Sequence, residues 1–490
     1  MASTTVAARL AWIGAERGNA PAVIGHDDGG ADLVVTWRRL AAEVQRVVRR
    51  LHGVPEMTGK PAIVAVEARN SPSALIQILG VLAAELPVLP LDPRAPAAER
   101  ARLLSFLAHE YGPVCLLIED RVVWPADPPT SRAVGDSPQS PRRPGYFLTT
   151  GGSSGLTKVV AVPGPLRYDP SRIPSLLLRK TGWRNGQRQL VAGPLHHSAP
   201  FSHCIHGILD ENAIILQSLF APDHMLDLIR EYSVEWLQLT PTHMRSVVQL
   251  ANPDAAGLAS IRAVLHTAAP CDFGTKNAWL ELVSPTRVFE SYATTEGIGA
   301  TLASGDEWLV RPGTVGKGFL TQIRILDQTG RRLPAGETGT VFMRSSRTAS
   351  QTAYLGGLSI ATTPDGFVSV GDHGRLDEEG YLFLAPRRTD VINVGGELVH
   401  PAEVEAAILE HRAVLDVVVV GEPDAIFGAT VHAKVVVQNG EVLTAADVMR
   451  HCASRLSPYK VPQEVDIITK IPRSLAGKLE RWRAGNPQGE

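Results

Sequence analysis

Along the first 120 positions of the chain, stretches with apolar residues at helical spacing alternate with short, continuous apolar runs typical of buried strands. Residues 37–52 carry apolar side chains at helical spacing, between Thr36, a typical N-cap residue, and Gly53, which ends the pattern. The same patterns predict further strands at 62–66, 88–91 and 114–118 and helices at 72–82 and 97–107. Strands that alternate with helices indicate a parallel, doubly wound sheet.

The alternation resumes after a stretch without periodicity. Residues 124–144 are rich in proline, serine and arginine and are predicted to form a surface connection. The patterns beyond it predict strands at 190–191, 213–216, 234–239, 261–265 and 286–289, a helix at 222–232, and a more β-rich region that ends near Leu384. We therefore predict an α/β fold class, with a large N-terminal domain of doubly wound sheets that carries a β-rich subdomain.

A charged, proline-containing segment at residues 385–390 marks a change of composition. The sequence after it predicts a helix that begins at Pro401, strands at 415–420, 431–437 and 465–468, and a last helix at 446–456. About 100 residues is a normal size for a small domain. We predict a large N-terminal domain at 1–386, a connecting segment at 387–390 and a small α+β C-terminal domain at 391–490.

Composition and charge restrict the class of protein and its partners. A chain of 490 residues is too long for one compact core. A net charge of −2 favours neither nucleic acid nor an acidic membrane as a partner. The four cysteines lack C-x-x-C spacing, which indicates reduced thiols. We expect a cytoplasmic protein, since we find neither a signal peptide nor an apolar stretch long enough to span a membrane.

The most distinctive stretch for chemistry lies between residues 146 and 162. Strand-like residues flank Gly-Gly-Ser-Ser-Gly at 151–155, and Lys158 follows. Glycines let backbone N–H groups approach a ligand, hydroxyls add donors and the lysine adds a positive charge, a combination that suits phosphates. A P-loop would instead open a helix with Gly-Lys-Ser/Thr, so we predict a hairpin between two strands. A flexible Gly/Ser linker is the structural alternative.

Three other residues are candidates for binding or catalysis, and each has an ordinary structural explanation. Glu296 follows a predicted strand, where ligands gather in open α/β sheets, and its carboxylate suits Mg²⁺; a solvated loop carboxylate is the alternative. Asp372 beside Gly371 suits the two hydroxyls of a ribose, and is also typical of a turn. Lys478 lies in a polar tail and is, by itself, typical of an exposed lysine.

The order of these segments resembles the ANL superfamily of adenylate-forming enzymes, most of all bacterial acyl-CoA ligases of the bile-acid or polycyclic-acid type. The resemblance spans nearly the whole chain. The corresponding family motifs are T-S-G-T-T-G-x-P-K-G at 150–159, Y-G-x-T-E at 292–296, the Gly-Asp of T-G-D at 371–372, the Arg and Asp of the G-R-x-x-D hinge at 387 and 390, the glycine turn with its E-(I/V)-E helix at 394–405, and P-x-T-x-x-G-K at 472–478.

The resemblance implies a reaction in two steps. A carboxylate attacks the α-phosphate of ATP to give an acyl-adenylate and pyrophosphate, and the thiol of coenzyme A then displaces AMP. ATP, Mg²⁺ and coenzyme A are thus the implied cofactors, and a small-molecule carboxylic acid is the substrate. Both steps crowd negative charge, so the protein is expected to act by positioning and electrostatic stabilisation. The small domain is expected to rotate about the hinge between the two steps.

The resemblance also implies roles for individual residues. Lys478, His197, Glu296 and Lys158 are the implied catalytic residues, with Glu296 as the Mg²⁺ ligand. The implied cofactor-binding residues are Thr149, Thr150, Gly151, Gly152, Ser153, Ser154 and Gly155 for the phosphates, Thr267, Ala268, Ala269, Pro270 and Tyr292 for adenine, Asp372 and Arg387 for the ribose, Gly395 and Gly396 for the pantetheine arm, and Thr295 beside the metal ligand. His197 would lie near the acyl carboxylate; a buried core histidine is the alternative.

Several departures from the family motifs leave alternatives open. Thr157 and Val159 replace a proline and a glycine of the phosphate loop, and Thr267-Ala268 replaces Gly-Gly near the adenine. These changes motivate the hypotheses of a relative that only transfers a supplied acyl-adenylate to coenzyme A, and of a non-catalytic nucleotide-binding relative. A carrier-protein acceptor and a homodimer are left open. The motifs suggest a bulky, largely apolar acid and a role in bacterial secondary metabolism.

Overall fold

A computed structural model describes residues 3–27, 30–54, 62–118, 121–124, 144–150, 158–250, 253–269, 271, 273–294, 296–345, 353–354, 361–385, 391–438, 440–469 and 471. The chain divides into two compact units. The larger unit comprises Met1–Pro93, Leu107–Thr149 and Val159–Pro386, and the smaller comprises Arg94–Phe106, Thr150–Lys158 and Arg387–Glu490.

Several helices begin with an N-cap side chain that accepts a hydrogen bond from the first turn, or with a proline at the first helical position. Thr36 accepts a hydrogen bond from the backbone N–H of Arg39, and Ser71 does the same for Ala74 before a proline at the first helical position. The helices are α1 Val6–Arg17, α2 Trp37–His52, α3 Pro72–Ala83, α4 Ala97–Glu110, α5 Leu176–Lys180, α6 Ser198–Leu209, α7 Pro222–Tyr232, α8 Pro241–Leu250, α9 Phe273–Val283, α10 Gly305–Val310, α11 Pro401–Leu409 and α12 Ala445–Ala453.

The strands of the larger unit are mostly short and apolar, as expected for strands covered by helices on both faces. They are β1 Thr4–Thr5, β2 Pro21–His26, β3 Asp32–Thr36, β4 Ile63–Glu67, β5 Val88–Leu91, β6 Val114–Ile118, β7 Arg121–Val123, β8 Pro144–Thr150, β9 Lys158–Pro163, β10 Arg167–Tyr168, β11 Arg188–Val191, β12 Ala213–Leu216, β13 Trp236–Leu239, β14 Ala263–His266, β15 Val288–Glu290, β16 Thr301–Ser304, β17 Gly316–Gly318, β18 Thr321–Leu326, β19 Gly339–Ser345, β20 Ala353–Tyr354, β21 Val368–Leu376 and β22 Tyr381–Leu384.

Most of these strands form two sheets. A 13-stranded sheet has the order β18-β19-β21-β22-β17-β16-β15-β14-β13-β11-β12-β2-β3, and a 7-stranded sheet has the order β20-β9-β8-β5-β4-β6-β7. The strands from β15 to β2 in the first sheet run parallel, whereas those from β16 to β18 pair antiparallel and form the β-rich end. The predicted α/β class with doubly wound sheets and a β-rich region is confirmed.

The smaller unit contains a five-stranded sheet with two helices. Its strands are β23 Ile392–Val394, β24 Glu397–Val399, β25 Val414–Asp424, β26 Gly428–Val437 and β27 Glu464–Ile467. They are ordered β24-β23-β26-β25, and β27 pairs with β26. Valines of β25 and β26 pack against α11 and α12 to form a separate hydrophobic core, so this unit has an α+β architecture of its own. Among the described residues of the chain, no helix has the length and apolar character that a bilayer span requires.

Candidate functional site

Two neighbouring strands bring the adenine-wall segment and the tyrosine motif to one edge of the large sheet. β14 and β15 are parallel, with His266 opposite Glu290 at their carboxyl ends. The backbone N–H of Ser291 donates to the carbonyl of His266 at 3.1 Å, which extends the pairing by one residue. Residues 267–269 and 291–292 therefore emerge side by side, at the edge of a parallel sheet where ligands usually bind.

Ala268 adopts a backbone conformation that normally favours glycine. Its φ is +82°, a value at which a Cβ is crowded by the neighbouring backbone. The hydroxyl of Thr267 accepts a hydrogen bond from Gln238 Nε2 at 3.1 Å. The segment thus keeps a glycine-like turn although Thr-Ala stands where the family has Gly-Gly, at a cost of about 1–3 kcal/mol.

A direct hydrogen bond joins the predicted adenine and ribose residues. The hydroxyl of Tyr292 donates to Asp372 Oδ2 at 2.6 Å, a short bond typical of a charged acceptor. Asp372 lies in β21 with only 7% of its surface exposed, and Gly371 before it has a φ of +78°. Two motifs that are 80 residues apart in the sequence are therefore brought into contact.

Glu296 lies in the turn that follows the tyrosine motif. The backbone N–H of Gly297 donates to the carbonyl of Thr294 at 3.0 Å, and Gly297 has a φ of +66°, so the turn is tight. The side chain of Glu296 is half-buried. One carboxylate on such a turn fits the way in which Mg²⁺ is usually held, by one or two carboxylates together with substrate phosphates and water.

The glycine-rich stretch connects two neighbouring strands. β8 ends at Thr150, β9 begins at Lys158, and the two strands are adjacent in the 7-stranded sheet. The predicted hairpin is therefore confirmed, and the strand-to-helix turn of a P-loop is excluded. Thr149 is described and half-buried, whereas Gly151, Gly152, Ser153, Ser154 and Gly155 and the side chains of Thr150 and Lys158 lie outside the described part of the chain.

His197 occupies the N-cap position of α6, at the same edge of the sheet. It does not cap the helix with its side chain, and its ring packs against that of His196 with a centroid distance of 4.4 Å. The Nε2 atom of His196 lies 3.7 Å from Asp92 Oδ2. Phe201 and Cys204, by contrast, are almost fully buried in the hydrophobic core, so neither belongs to an open pocket.

In the smaller unit, Gly395 and Gly396 form the two-residue turn of the hairpin between β23 and β24. Their φ angles are +64° and +98°, as a type I′ turn requires. The N–H of Gly396 donates to Asn393 Oδ1 at 2.8 Å. The remaining residues that the sequence singles out, Pro270, Thr295, Arg387 and Lys478, lie outside the described residues.

A buried charged cluster beneath this edge was not anticipated from the sequence. Lys276, on α9, donates to Glu290 Oε2 at 3.0 Å and contacts His266 Nε2. All three side chains are almost inaccessible to solvent. Burial, and then the charge of Lys276, lower the pKa of His266 well below its usual value, so His266 is neutral. Burial raises the pKa of Glu290, and the adjacent ammonium group of Lys276 opposes that rise.

Two protein-family models match most of the chain. Residues 10–351 match the model described as "AMP-binding enzyme", and residues 403–478 match "AMP-binding enzyme C-terminal domain". The chain belongs to the AMP-binding enzyme family. This confirms the resemblance to the adenylate-forming superfamily that the motifs indicated.

Curated relatives of this AMP-binding enzyme include ligases with different acyl acceptors. The "4-coumarate--CoA ligase-like 4" of rice (Oryza sativa subsp. japonica) is 30% identical over 69% of the chain, which spans 62% of that relative's length. The "Fatty acid--[acyl-carrier-protein] ligase ScoC" of Streptomyces coeruleorubidus is 26% identical over 91% of the chain and 90% of its own length. The named acceptors thus differ even among similar sequences.

Solved structures support the same fold over the full length of the AMP-binding enzyme. The o-succinylbenzoate CoA synthetase of Bacillus subtilis gives a TM-score of 0.79 at 22% identity and covers 97% of both chains. The amide bond synthetase McbA of Marinactinospora thermotolerans gives 0.78 at 24% identity, covering 98% of this chain and 99% of McbA. At these identities the likeness establishes the fold and leaves the substrate open.

Proposed function

We propose that the protein is an AMP-forming, ATP-dependent acid–thiol ligase that activates a carboxylic acid and transfers the acyl group to coenzyme A. The observation that carries this proposal is the hydrogen bond between Tyr292 and Asp372. It brings the proposed adenine and ribose residues together. Tyr292 follows β15 at the carboxyl edge of a parallel sheet and lies within residues 10–351, which the AMP-binding family model matches.

The proposed roles of the residues follow from their chemistry. Residues 267–269 and Tyr292 would enclose the adenine, and Asp372 would accept hydrogen bonds from the ribose hydroxyls. Glu296 would hold Mg²⁺, which neutralises phosphate charge when bound. The glycine-rich hairpin and Lys158 would bind the phosphates, and Lys478 would bind the carboxylate and the α-phosphate, each removal costing about 10²–10³ in rate.

The hypothesis of a relative that has lost adenylation is less favoured. Its main motivation, the Thr-Ala pair near the adenine, is weakened because Ala268 keeps the backbone conformation of a glycine. A non-catalytic nucleotide-binding relative would also bring Tyr292 and Asp372 together, so catalysis is what distinguishes it from a ligase. Acid-dependent exchange of pyrophosphate into ATP at ordinary rates would eliminate both alternatives.

The test of the proposal compares Asp372→Asn with His373→Gln, a change at the exposed next residue of β21. Asparagine keeps the shape but loses the charge that accepts two hydroxyl hydrogen bonds, so KM for ATP should rise at least tenfold with Asp372→Asn and stay unchanged with His373→Gln. The measurement is pyrophosphate exchange as a function of ATP concentration. Equal KM values in the wild type and in Asp372→Asn would contradict the assignment.

A carrier protein is the second candidate acceptor, and the relative from Streptomyces coeruleorubidus favours it, since its name specifies an acyl carrier protein and the alignment covers 90% of its length. Product formation with coenzyme A and with a phosphopantetheinylated carrier, measured by mass spectrometry, separates the two. The hinge at 387–390, its rotation between half-reactions, a homodimer, a cytoplasmic location and the bacterial secondary metabolic role stay predictions.

A further inference from the structure

The tyrosine motif lies on one arm of an antiparallel hairpin, and Glu296 lies near its tip. β15 pairs with β16 at the base of the hairpin, and an isolated bridge joins Ala293 to Ala300 nearer the tip. Tyr292 lies between the paired strands and this bridge, opposite Thr301, the first residue of β16. Thr301 is therefore placed to fix the backbone of Tyr292.

The hydrogen bonds between Tyr292 and Thr301 differ from those of a regular ladder. A regular hydrogen-bonded pair exchanges two backbone bonds. The backbone N–H of Thr301 donates to the carbonyl of Tyr292 at 2.8 Å, but the N–H of Tyr292 donates to the hydroxyl of Thr301 at 3.3 Å. The carbonyl of Thr301 accepts a hydrogen bond from the hydroxyl of Ser291 at 2.8 Å. Two side-chain hydroxyls thus take part in a pairing that backbone groups usually make alone.

The hydroxyl of Thr301 joins Tyr292 to a second strand. It accepts from the N–H of Tyr292 and donates to the carbonyl of Val315, which directly precedes β17, the strand on the other side of β16. A hydroxyl has one proton to donate, so these two bonds fix its orientation. Thr301 is completely buried, and solvent therefore does not compete for either bond.

The position of the Tyr292 backbone matters because its side chain reaches Asp372. The phenol is at the far end of a long side chain, so a small rotation of the backbone displaces the hydroxyl much more than the Cα atom. The hydroxyl meets Asp372 Oδ2 at 2.6 Å, and a hydrogen bond weakens steeply when its alignment is lost. Irregular pairing next to a functional site commonly re-aims a side chain in this way.

A buried threonine that bonds two backbone groups can also serve the fold alone, and Thr314 is an example. It is buried, its hydroxyl donates to the carbonyl of Leu382 at 2.9 Å, and it accepts from the N–H of Gly316 at 3.0 Å. These partners belong to the same β-rich end of the sheet but are not proposed nucleotide-binding residues. Thr314 therefore provides a matched control for Thr301.

We propose that Thr301 is a positioning residue for the nucleotide. Its hydroxyl sets the backbone of Tyr292, and Tyr292 then holds Asp372 in the orientation that accepts the ribose hydroxyls. The proposal rests on the proposed function, because Asp372 contacts a ribose only if the protein binds ATP. Thr301 lies outside every motif that the sequence analysis singles out, so it adds a residue to the proposed site.

Two nucleotides that differ only in their ribose hydroxyls test this series of contacts. They are AMP and 2′,3′-dideoxy-AMP, and their dissociation constants are measured by isothermal titration calorimetry without acid or coenzyme A. The wild type should bind AMP about tenfold more tightly, because only AMP offers hydroxyls to Asp372. The ratio of the two constants reports recognition of the ribose, whereas a general loss of folded protein affects both nucleotides alike.

Three variants connect the ratio to the hydroxyl of Thr301. Thr301→Val keeps the shape and removes the hydroxyl, so the preference for AMP should fall to about twofold. Thr301→Ser keeps the hydroxyl and should keep most of the wild-type preference. Thr314→Val makes the same chemical change with the same number of lost hydrogen bonds, and should leave the preference at the wild-type value.

Ser291→Ala gives a second measurement that needs no change at Thr301. It removes the hydrogen bond to the carbonyl of Thr301, so the preference for AMP should fall by about half. Urea denaturation of each variant verifies that it is folded.

The possible outcomes separate this inference from the proposed function. A wild-type preference in Thr301→Val, or in Ser291→Ala should Thr301→Val not fold, overturns the inference and leaves the ligase activity standing. So does an equal fall of the preference in Thr314→Val. A wild type that binds neither nucleotide, or both equally, overturns the proposed ribose contact and the inference together. A wild type that prefers AMP but exchanges no pyrophosphate with any acid overturns the ligase function alone.

Discussion

Two clusters of buried polar groups lie on opposite faces of the 13-stranded sheet and differ in how their hydrogen bonds are satisfied. On one face, Lys276, Glu290 and His266 bind one another. On the other face, polar atoms of His203 and Trp236 have no partner among the residues that the structure describes. A satisfied cluster stabilises the fold, whereas each unsatisfied buried polar atom costs about 1–3 kcal/mol.

The comparison predicts that the two faces respond differently to mutation. Changing a member of the paired cluster should cost stability, because the remaining members lose a partner. Changing a member of the unpaired cluster should cost little stability, because no hydrogen bond is lost. Experiments that reverse this pattern would show that the difference between the faces is a matter of packing alone.

The largest effect is expected from Lys276→Met. This substitution leaves the carboxylate of Glu290 buried without its cation, so the free energy of unfolding should fall by about 3–5 kcal/mol. Urea denaturation measures the loss. The double variant Lys276→Met/Glu290→Met removes both charges and should recover most of the stability; a double variant as unstable as the single one would contradict an ion-pair origin.

The next largest effect is a dependence of the free energy of unfolding on pH, because the folded protein keeps His203 and His266 neutral. A histidine whose pKa is lowered by folding contributes stability that is fully present above the unfolded pKa near 6.5 and is lost as the pH falls toward the folded pKa. Between pH 7.5 and 5.5, each histidine should therefore lower the free energy of unfolding by about 1.4 kcal/mol.

Urea midpoints at the two pH values test this pH dependence in the wild type and in His203→Phe. The pH effect should be smaller in the variant by about 1.4 kcal/mol, the share of His203. Trp279→Phe, at a fully buried aromatic residue that does not titrate, provides the control and should leave the effect unchanged. An identical pH dependence in His203→Phe and the wild type would show that folding does not lower the pKa of His203.

The smallest effect is expected from Ala268→Gly, directly after the paired cluster. Glycine adopts the observed φ of +82° without a Cβ clash, so the free energy of unfolding should rise by up to about 1 kcal/mol. Ala269→Gly, at the next residue of the chain, is the matched control. It should raise the free energy of unfolding by less than Ala268→Gly does, or lower it. A loss of stability in Ala268→Gly equal to that of the control would show that position 268 carries no strain.

Local signals predicted much of the fold. Thr36 and Ser71 mark the first turns of α2 and α3 because their side chains cap these turns directly. The glycine-rich hairpin was recognised because β-branched residues follow Lys158 and continue the strand. The match to family motifs then predicted which loops share one edge of the sheet, which no local signal could do.

The parts that were missed depend on contacts between distant residues. Lys276 occupies the apolar stripe of α9, three and four residues before Trp279 and Leu280, so a signal existed. A lysine at such a position is rarely buried, and its partners are fixed only by the register of β14 and β15. The burial of His203 was likewise not predicted. Small and polar residues recur at helical spacing along its side of α6, a pattern typical of a solvent-exposed face.

The hydrogen bond between Tyr292 and Asp372 has a consequence for the cost of binding. Each side chain holds the other in one rotamer before any nucleotide arrives. Ordering a free side chain at a binding site costs about 0.5–1.5 kcal/mol, and folding has already met that cost for both residues here. At the proposed nucleotide site, affinity would then depend less on ordering these side chains and more on how well the ribose hydroxyls replace the phenol as hydrogen-bond donors to Asp372.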